Sequence, residues 1–320
     1  MAVLDRPRRE EPVVRNRWIA LAAGLVAVLA AGCAGGDRPA GSGGGQGASL
    51  EVVATTTQVA DFARVVGGDR VQVTTLIKPN VDAHDYEPSP ADLDAIARAD
   101  VVLQNGVGLE EWLNDTIESS GFRGPVVDTS RGVALRQDEG GEPDPHIWQN
   151  PRNAQLMAAN VERALATAEP AAAPRFAANL AAYTRELQAL DAEVARQVDS
   201  LANKKLVTDH DAFGYYIDRY GLQLVGSVIP SSDTSAELSG RDIRDLVAKI
   251  KATKVKAVFT ETSLPARTAE TIASEAGVKV VGGEDALYGD SLGPAGSDGD
   301  TYLKMIRHNT AAIVGNLSGS

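Results

Sequence analysis

On either side of a stretch without glycine, residues 153–201, short β-branched runs alternate with segments of helical periodicity. Before the stretch the runs are 52–56, 71–77, 101–104 and 125–127, with helical spacing over 91–98 between two of them. After it they are 206–208, 223–228, 257–260 and 279–281, with Ile243, Leu246, Val247 and Ile250 sharing one helical face. Alternation of this kind builds parallel βαβ units, so the expected fold is α/β, with two βα lobes on parallel sheets. A chain of 320 residues agrees, because single cores stop growing at about 250–300 residues. The separator is rich in Ala, Leu, Glu, Gln and Arg and is interrupted by Pro170 and Pro174. Proline breaks an interior helical turn, which predicts one helix ending near Ala168 and a second from about Pro174 to Ala202, roughly 40 Å long. The expected organisation is an N-terminal lobe over 50–168, a linking backbone helix over 169–203 and a C-terminal lobe over 204–320. A weak repeat accompanies it: Ser89 with Asp92 and Ser239 with Asp242 each have the spacing of a capping box at a helix start.

The first 33 residues divide into a basic stretch with Arg6, Arg8, Arg9, Arg15 and Arg17, an apolar run over 18–31, and Gly32-Cys33. The run falls short of the roughly 20 apolar residues of a membrane-spanning helix and suits an export signal over 1–32. Leu29-Ala30-Ala31-Gly32-Cys33 resembles a bacterial lipobox, which implies that Cys33 becomes the lipid-bearing N-terminus. Residues 33–49 are rich in Gly and Ser and read as a flexible tether. A soluble body held near the outer face of the cell membrane is expected. The formal net charge of −12 offers no footprint for nucleic acid, and a lone Cys excludes a disulfide framework or a Cys-rich zinc module. Metal chemistry would have to use His and carboxylates.

Three of the four His residues fall in loops beside strand ends: His84, His146 and His210. Ligands of open parallel sheets collect at the carboxyl ends of strands, so three imidazoles could share one cleft. Neutral imidazole donates a nitrogen lone pair, and three of them with one carboxylate make a closed four-coordinate site. Asp82-Ala83-His84 and Asp144-Pro145-His146 form similar turns, in which a carboxylate or carbonyl can hold the second ring nitrogen. His308 lies in a helical run, where a solvated face explains it.

Four segments together carry a specific resemblance: His84-Asp85-Tyr86-Glu87-Pro88 with Ser89-Pro90, Asp144-Pro145-His146-Ile147-Trp148, Asp209-His210-Asp211-Ala212-Phe213-Gly214-Tyr215-Tyr216, and Tyr288-Gly289-Asp290-Ser291-Leu292. In order and spacing the chain resembles the zinc- and manganese-binding receptors of bacterial ATP-driven importers. The resemblance implies metal held between the lobes by His84 and His146 from the first and His210 and Asp290 from the second. Glu261 and Asp285 also lie near strand ends and stand as alternatives for the fourth ligand. Ala83 replaces the proline usual in the family, and the segment 136–144 contains no His, whereas many zinc-specific members carry a His-rich loop there. That segment reads as a solvated acidic turn.

Three His and one Asp favour Zn2+, while Mn2+ prefers more oxygen ligands and remains the alternative. The implied partners are a membrane permease of an ATP-driven importer and the lipid membrane through Cys33, with the protein acting as a monomer and not as an enzyme. Competing readings are a zinc hydrolase, which would need an open coordination position and a positioned base that no His-Glu-x-x-His motif supplies here, and an adhesion lipoprotein that needs no metal. From the unperturbed His value, metal affinity is expected to fall as pH drops through about 6.5.

Overall fold

Four parallel strands, in the order β2 (Val71–Thr75), β1 (Leu50–Ala54), β3 (Val101–Gln104) and β4 (Val126–Asp128), form the sheet of the first lobe. The computed structural model describes residues 49–318 apart from Glu139 and Glu237. The export signal, Cys33 and the tether except Ser49 lie outside the described residues. From Val52 to Ala54 of β1 and from Val101 to Leu103 of β3 the alternating side chains are buried on both faces, as continuous apolar runs in a parallel sheet require. Val53, Val102 and Leu76 pack with Ile96 of α2 (Pro90–Arg98) and Leu113 of α3 (Leu113–Ser120). Val52, Ala54, Val101 and Leu103 face the opposite way, toward α1 (Thr57–Gly67), α4 (Pro151–Ala168) and α5 (Ala173–Asp199). Leu76 and Ile77 continue the ladder beyond β2, their N–H groups donating to the carbonyls of Ala54 and Thr55.

The second half contains two parallel pairs, β5 (Lys205–His210) with β6 (Gln223–Ile229) and β7 (Ala257–Phe259) with β8 (Lys279–Val281). Val207, Val228 and Val258 pack beneath α7 (Gly240–Thr253) and α8 (Arg267–Ala276), whose buried side chains include Leu246, Ile250 and Ile272. Leu206, Ala257 and Phe259 face the core shared with α5, α6 (Gly214–Tyr220) and α9 (Tyr302–Leu317). The two capping boxes both form: Ser89 and Ser239 accept from the N–H of Asp92 and Asp242, whose carboxylates accept from the serine N–H groups in return. The α5 helix has 27 residues, about 40 Å of rigid rod. It begins at the second of the two prolines' turns and ends three residues before Ala202, where the sequence places its end. Among the described residues no helix is long and apolar enough to cross a membrane.

Candidate metal centre

Every chemically interesting loop leaves the carboxyl end of a strand, as open parallel sheets dictate. His84 lies between β2 and α2, His146 between β4 and α4, His210 ends β5, and Asp290 lies between β8 and α9. Their four side chains, each offering one ligand atom, converge so that these atoms all lie within 4.8 Å of one another. His146 Nε2 is 3.2 Å from His84 Nε2 and 3.3 Å from His210 Nε2. Asp290 Oδ1 is 3.3 Å from both His146 Nε2 and His210 Nε2, and its Oδ2 is 3.9 Å from His84 Nε2. Ligand atoms about 2.0–2.1 Å from a tetrahedral ion sit about 3.3 Å apart, so the spacing fits the donor set of a four-coordinate metal. His146, His210 and Asp290 are fully buried.

Carboxylates outside the cage orient two of the rings. Asp144 Oδ1 lies 2.8 Å from His146 Nδ1 and accepts the His146 N–H at 2.9 Å. Glu261 Oε1 does the same for His210, 2.9 Å from Nδ1 and 3.0 Å from the backbone nitrogen. With Nδ1–H committed to a carboxylate, each Nε2 turns a lone pair into the cage. His84 departs from the expected pattern: Asp82 Oδ1 accepts from its backbone N–H at 2.9 Å, not from its ring. Asp144 is itself braced by Arg136, whose Nη1 lies 2.5 Å from Oδ2. The Tyr215 hydroxyl accepts from the Arg136 N–H and donates to the Asp144 carbonyl. The ends of the 136–144 segment are therefore pinned, and between them Gln137, Gly140, Gly141 and Glu142 are exposed while Asp138 accepts from the Ser232 hydroxyl.

Electrostatics divide the three imidazoles. Burial alone would lower His146, but hydrogen bonds and charge from Asp144 and Asp290 raise it to about 9. His210 is raised as well, the charges of Glu261 and Asp290 overcoming burial. His84 is lowered, chiefly by burial and then by the other two rings against the pull of Asp290. Asp290 resists burial's upward push and stays well below the usual carboxylate range because the imidazoles surround it. A cleft of about 580 Å³ opens over His84, and Glu111, Asp138, Glu142 and Asp233 line it with carboxylates that would draw cations inward.

The alternatives for the fourth ligand fall elsewhere. Glu261 is buried beside the cage but spends Oε1 on His210. Asp285 is exposed in a short 3-10 turn, and the centre excludes it. His308 is half-buried, not a solvated helix residue: its Nε2 bonds the Ala286 carbonyl at 2.9 Å and its ring packs edge-on against Tyr288. Sequence reasoning missed Glu110, a buried carboxylate that accepts from the N–H groups of Asn105 and Gly106 and from the Thr55 hydroxyl. Asn105 Nδ2 in turn donates to the Pro145 carbonyl next to His146. It also missed Gln58 and Gln149, and no role was read for Trp148. These are uncharged donors to the Asp290 loop, and no local pattern marks them.

A family model described as zinc-uptake complex component A, periplasmic, matches residues 52–316. The manganese-binding lipoprotein MntA of Bacillus subtilis is 33% identical over 304 residues, 92% of this chain and 97% of that protein. The manganese ABC transporter substrate-binding lipoprotein PsaA of Streptococcus anginosus is 30% identical, covering 92% of this chain and 96% of its own length. The solved periplasmic zinc binding protein TroA from Treponema pallidum superposes with a TM-score of 0.79 at 30% identity, covering 85% of this chain and all of that one. Its two-lobe fold is the fold of this chain.

Proposed function

Since this chain belongs to the family of periplasmic component A of zinc-uptake complexes, we propose that it captures a divalent transition metal outside the cytoplasm and delivers it to the permease of an ATP-driven importer. His84, His146, His210 and Asp290 are the ligands in this reading. The observation that carries it is the spacing of their donor atoms, 3.2–3.3 Å along four contacts and 3.9 Å along a fifth. Residues 50–168 and 204–320 serve as the two lobes and 169–203 as the stiff link between them. Cys33 carries lipid and residues 33–49 tether the body to the cell membrane, in keeping with relatives named lipoproteins.

Zinc is the favoured cargo, because three imidazoles and one carboxylate at tetrahedral spacing are nitrogen-rich. Manganese is the second reading, and two observations favour it. Relatives at 30% and 33% identity are named for manganese, and among the described residues neither Asp290 oxygen has a hydrogen-bond partner outside the cage imidazoles, which leaves both free to bind one ion and raise its coordination number. Four protein donors leave no coordination position for an activated water, which supports a receptor over a hydrolase. Metal analysis of protein purified without chelator, followed by competition titration with zinc and manganese, tests the reading. Near one equivalent of metal, lost in His146→Ala, is expected. Metal content unchanged by that substitution would favour a scaffolding or adhesive role instead.

A further inference from the structure

Asp290 follows the second lobe's last strand in the chain, yet its backbone is fastened to the first lobe. Leu287 still belongs to the second lobe: its N–H donates to the Thr260 carbonyl at 2.8 Å and its carbonyl accepts from Thr262 at 2.9 Å. Two residues later the attachments change sides. The Trp148 indole N–H and the Gln149 amide both donate to the Gly289 carbonyl, at 3.0 and 2.9 Å. Gln58 Nε2 donates to the Asp290 carbonyl at 3.0 Å, and Thr57 Oγ1 accepts the Leu292 N–H at 2.7 Å. Farther on, Asp61 accepts the Tyr302 N–H at 3.0 Å, and the Tyr302 hydroxyl donates to the Trp148 carbonyl at 2.7 Å. Gln58, Trp148 and Gln149 are fully buried. Apart from the cage imidazoles, no donor among the described residues hydrogen-bonds the Asp290 carboxylate, so the brace on this ligand from outside the cage is the backbone these residues hold. His210 is braced quite differently, by Glu261 within the second lobe.

We infer that Gln58, Trp148 and Gln149 are positioning residues that fix the Asp290 ligand on the first lobe, so that the four donors divide three to one. His84, His146 and Asp290 move as one body, and His210 with Glu261 belongs to the other. Parting the lobes then removes a single donor and leaves the ion on a three-donor face exposed to solvent. The inference rests on the metal-receptor reading of the same four side chains.

Two measurements on the full body of the protein test it. In the first, Co2+ replaces the native cargo, and visible spectra and chelator competition are compared for the wild type, Gln58→Met, Gln149→Met and Asp290→Ala. Each Met variant should bind Co2+ about 10–100-fold more weakly, with its spectrum shifted toward that of Asp290→Ala as the carboxylate loses its place. A wild-type spectrum and affinity in both would overturn the inference while leaving the receptor reading intact. Failure of the wild type to bind Co2+ would overturn the receptor reading and the inference together. The second measurement needs no variant: hydrogen exchange with and without metal. Chelation should speed exchange at Arg136, whose N–H reaches across to Tyr215, and leave Leu292 and Tyr302 protected. Faster exchange at Leu292 as well, or an unchanged Arg136, would overturn the three-to-one division.

Discussion

Raising the pH should tighten metal binding well above the range in which a free imidazole titrates. A metal requires an unprotonated Nε2, so protons held by the metal-free cage compete with it. Burial works against charge on His146, but Asp144 and Asp290 outweigh it and hold the proton up to about pH 9. Displacing that proton at pH 7 costs a factor of about 100, or about 3 kcal/mol. His210, raised by Glu261 and Asp290, contributes a second proton, whereas His84 is lowered and is already neutral. The logarithm of the zinc association constant should therefore climb with pH from about 6.5, with a slope near two while both rings hold protons and a shallower one above about 9, where His146 has lost its own. The transition expected at the unperturbed histidine value is moved upward by buried carboxylates. Chelator-buffered zinc titrations across this range give the slope, and calorimetry in buffers of different ionisation enthalpy counts the protons released. A slope near zero between pH 7 and 9, or no proton release at pH 7, would refute the reasoning.

Three further outcomes follow from the same geometry. In metal-free protein His146 binds its proton more tightly folded than unfolded, so its stabilisation is complete below about pH 6.5 and is lost as pH rises through about 9. Thermal melts should show a loss of about 3 kcal/mol over that window without metal and none with zinc bound, and equal behaviour of the two forms would contradict the assignment. Glu261→Gln should weaken zinc binding about 10–100-fold while Asp285→Asn leaves it unchanged, since of these two carboxylates Glu261 alone holds a ring of the cage, that of His210. Competition titration giving both variants the same affinity would count against the role of Glu261. In Gly289→Ala the new Cβ would stand 1.8 Å from Glu261 Oε2, so denaturant melts should show a loss of about 1–3 kcal/mol together with weaker zinc binding. Wild-type stability and affinity would show that the loop yields without consequence.

The strand and helix alternation was legible because parallel strands buried on both faces read as continuous Val, Leu and Ala runs, as in β1 and β3. The paired capping boxes were legible because Ser and Asp three residues apart satisfy each other locally. The four converging side chains were legible through motif order and the rule that loops at strand ends share a cleft. The direction of a side chain from a strand end was not. Glu261 and Asp285 looked equivalent in sequence, yet one carboxylate turns inward to His210 and the other faces solvent. His308 misread as solvated because its partners, Ala286 and Tyr288, come from a loop packed back against its helix. Gln58 and Gln149 carry no charge or motif, and they act on Gly289 and Asp290, far along the chain. Hydrogen bonds of that range leave no periodic trace.

The central claim is that three imidazoles and one carboxylate hold a single ion between the lobes. Anomalous diffraction at the zinc edge from crystals of zinc-loaded protein tests it most directly. One peak is predicted about 2.0–2.2 Å from the Nε2 atoms of His84, His146 and His210 and from an Asp290 carboxylate oxygen. A peak away from these four side chains, or an ion there that keeps a water in place of one of them, would contradict the account.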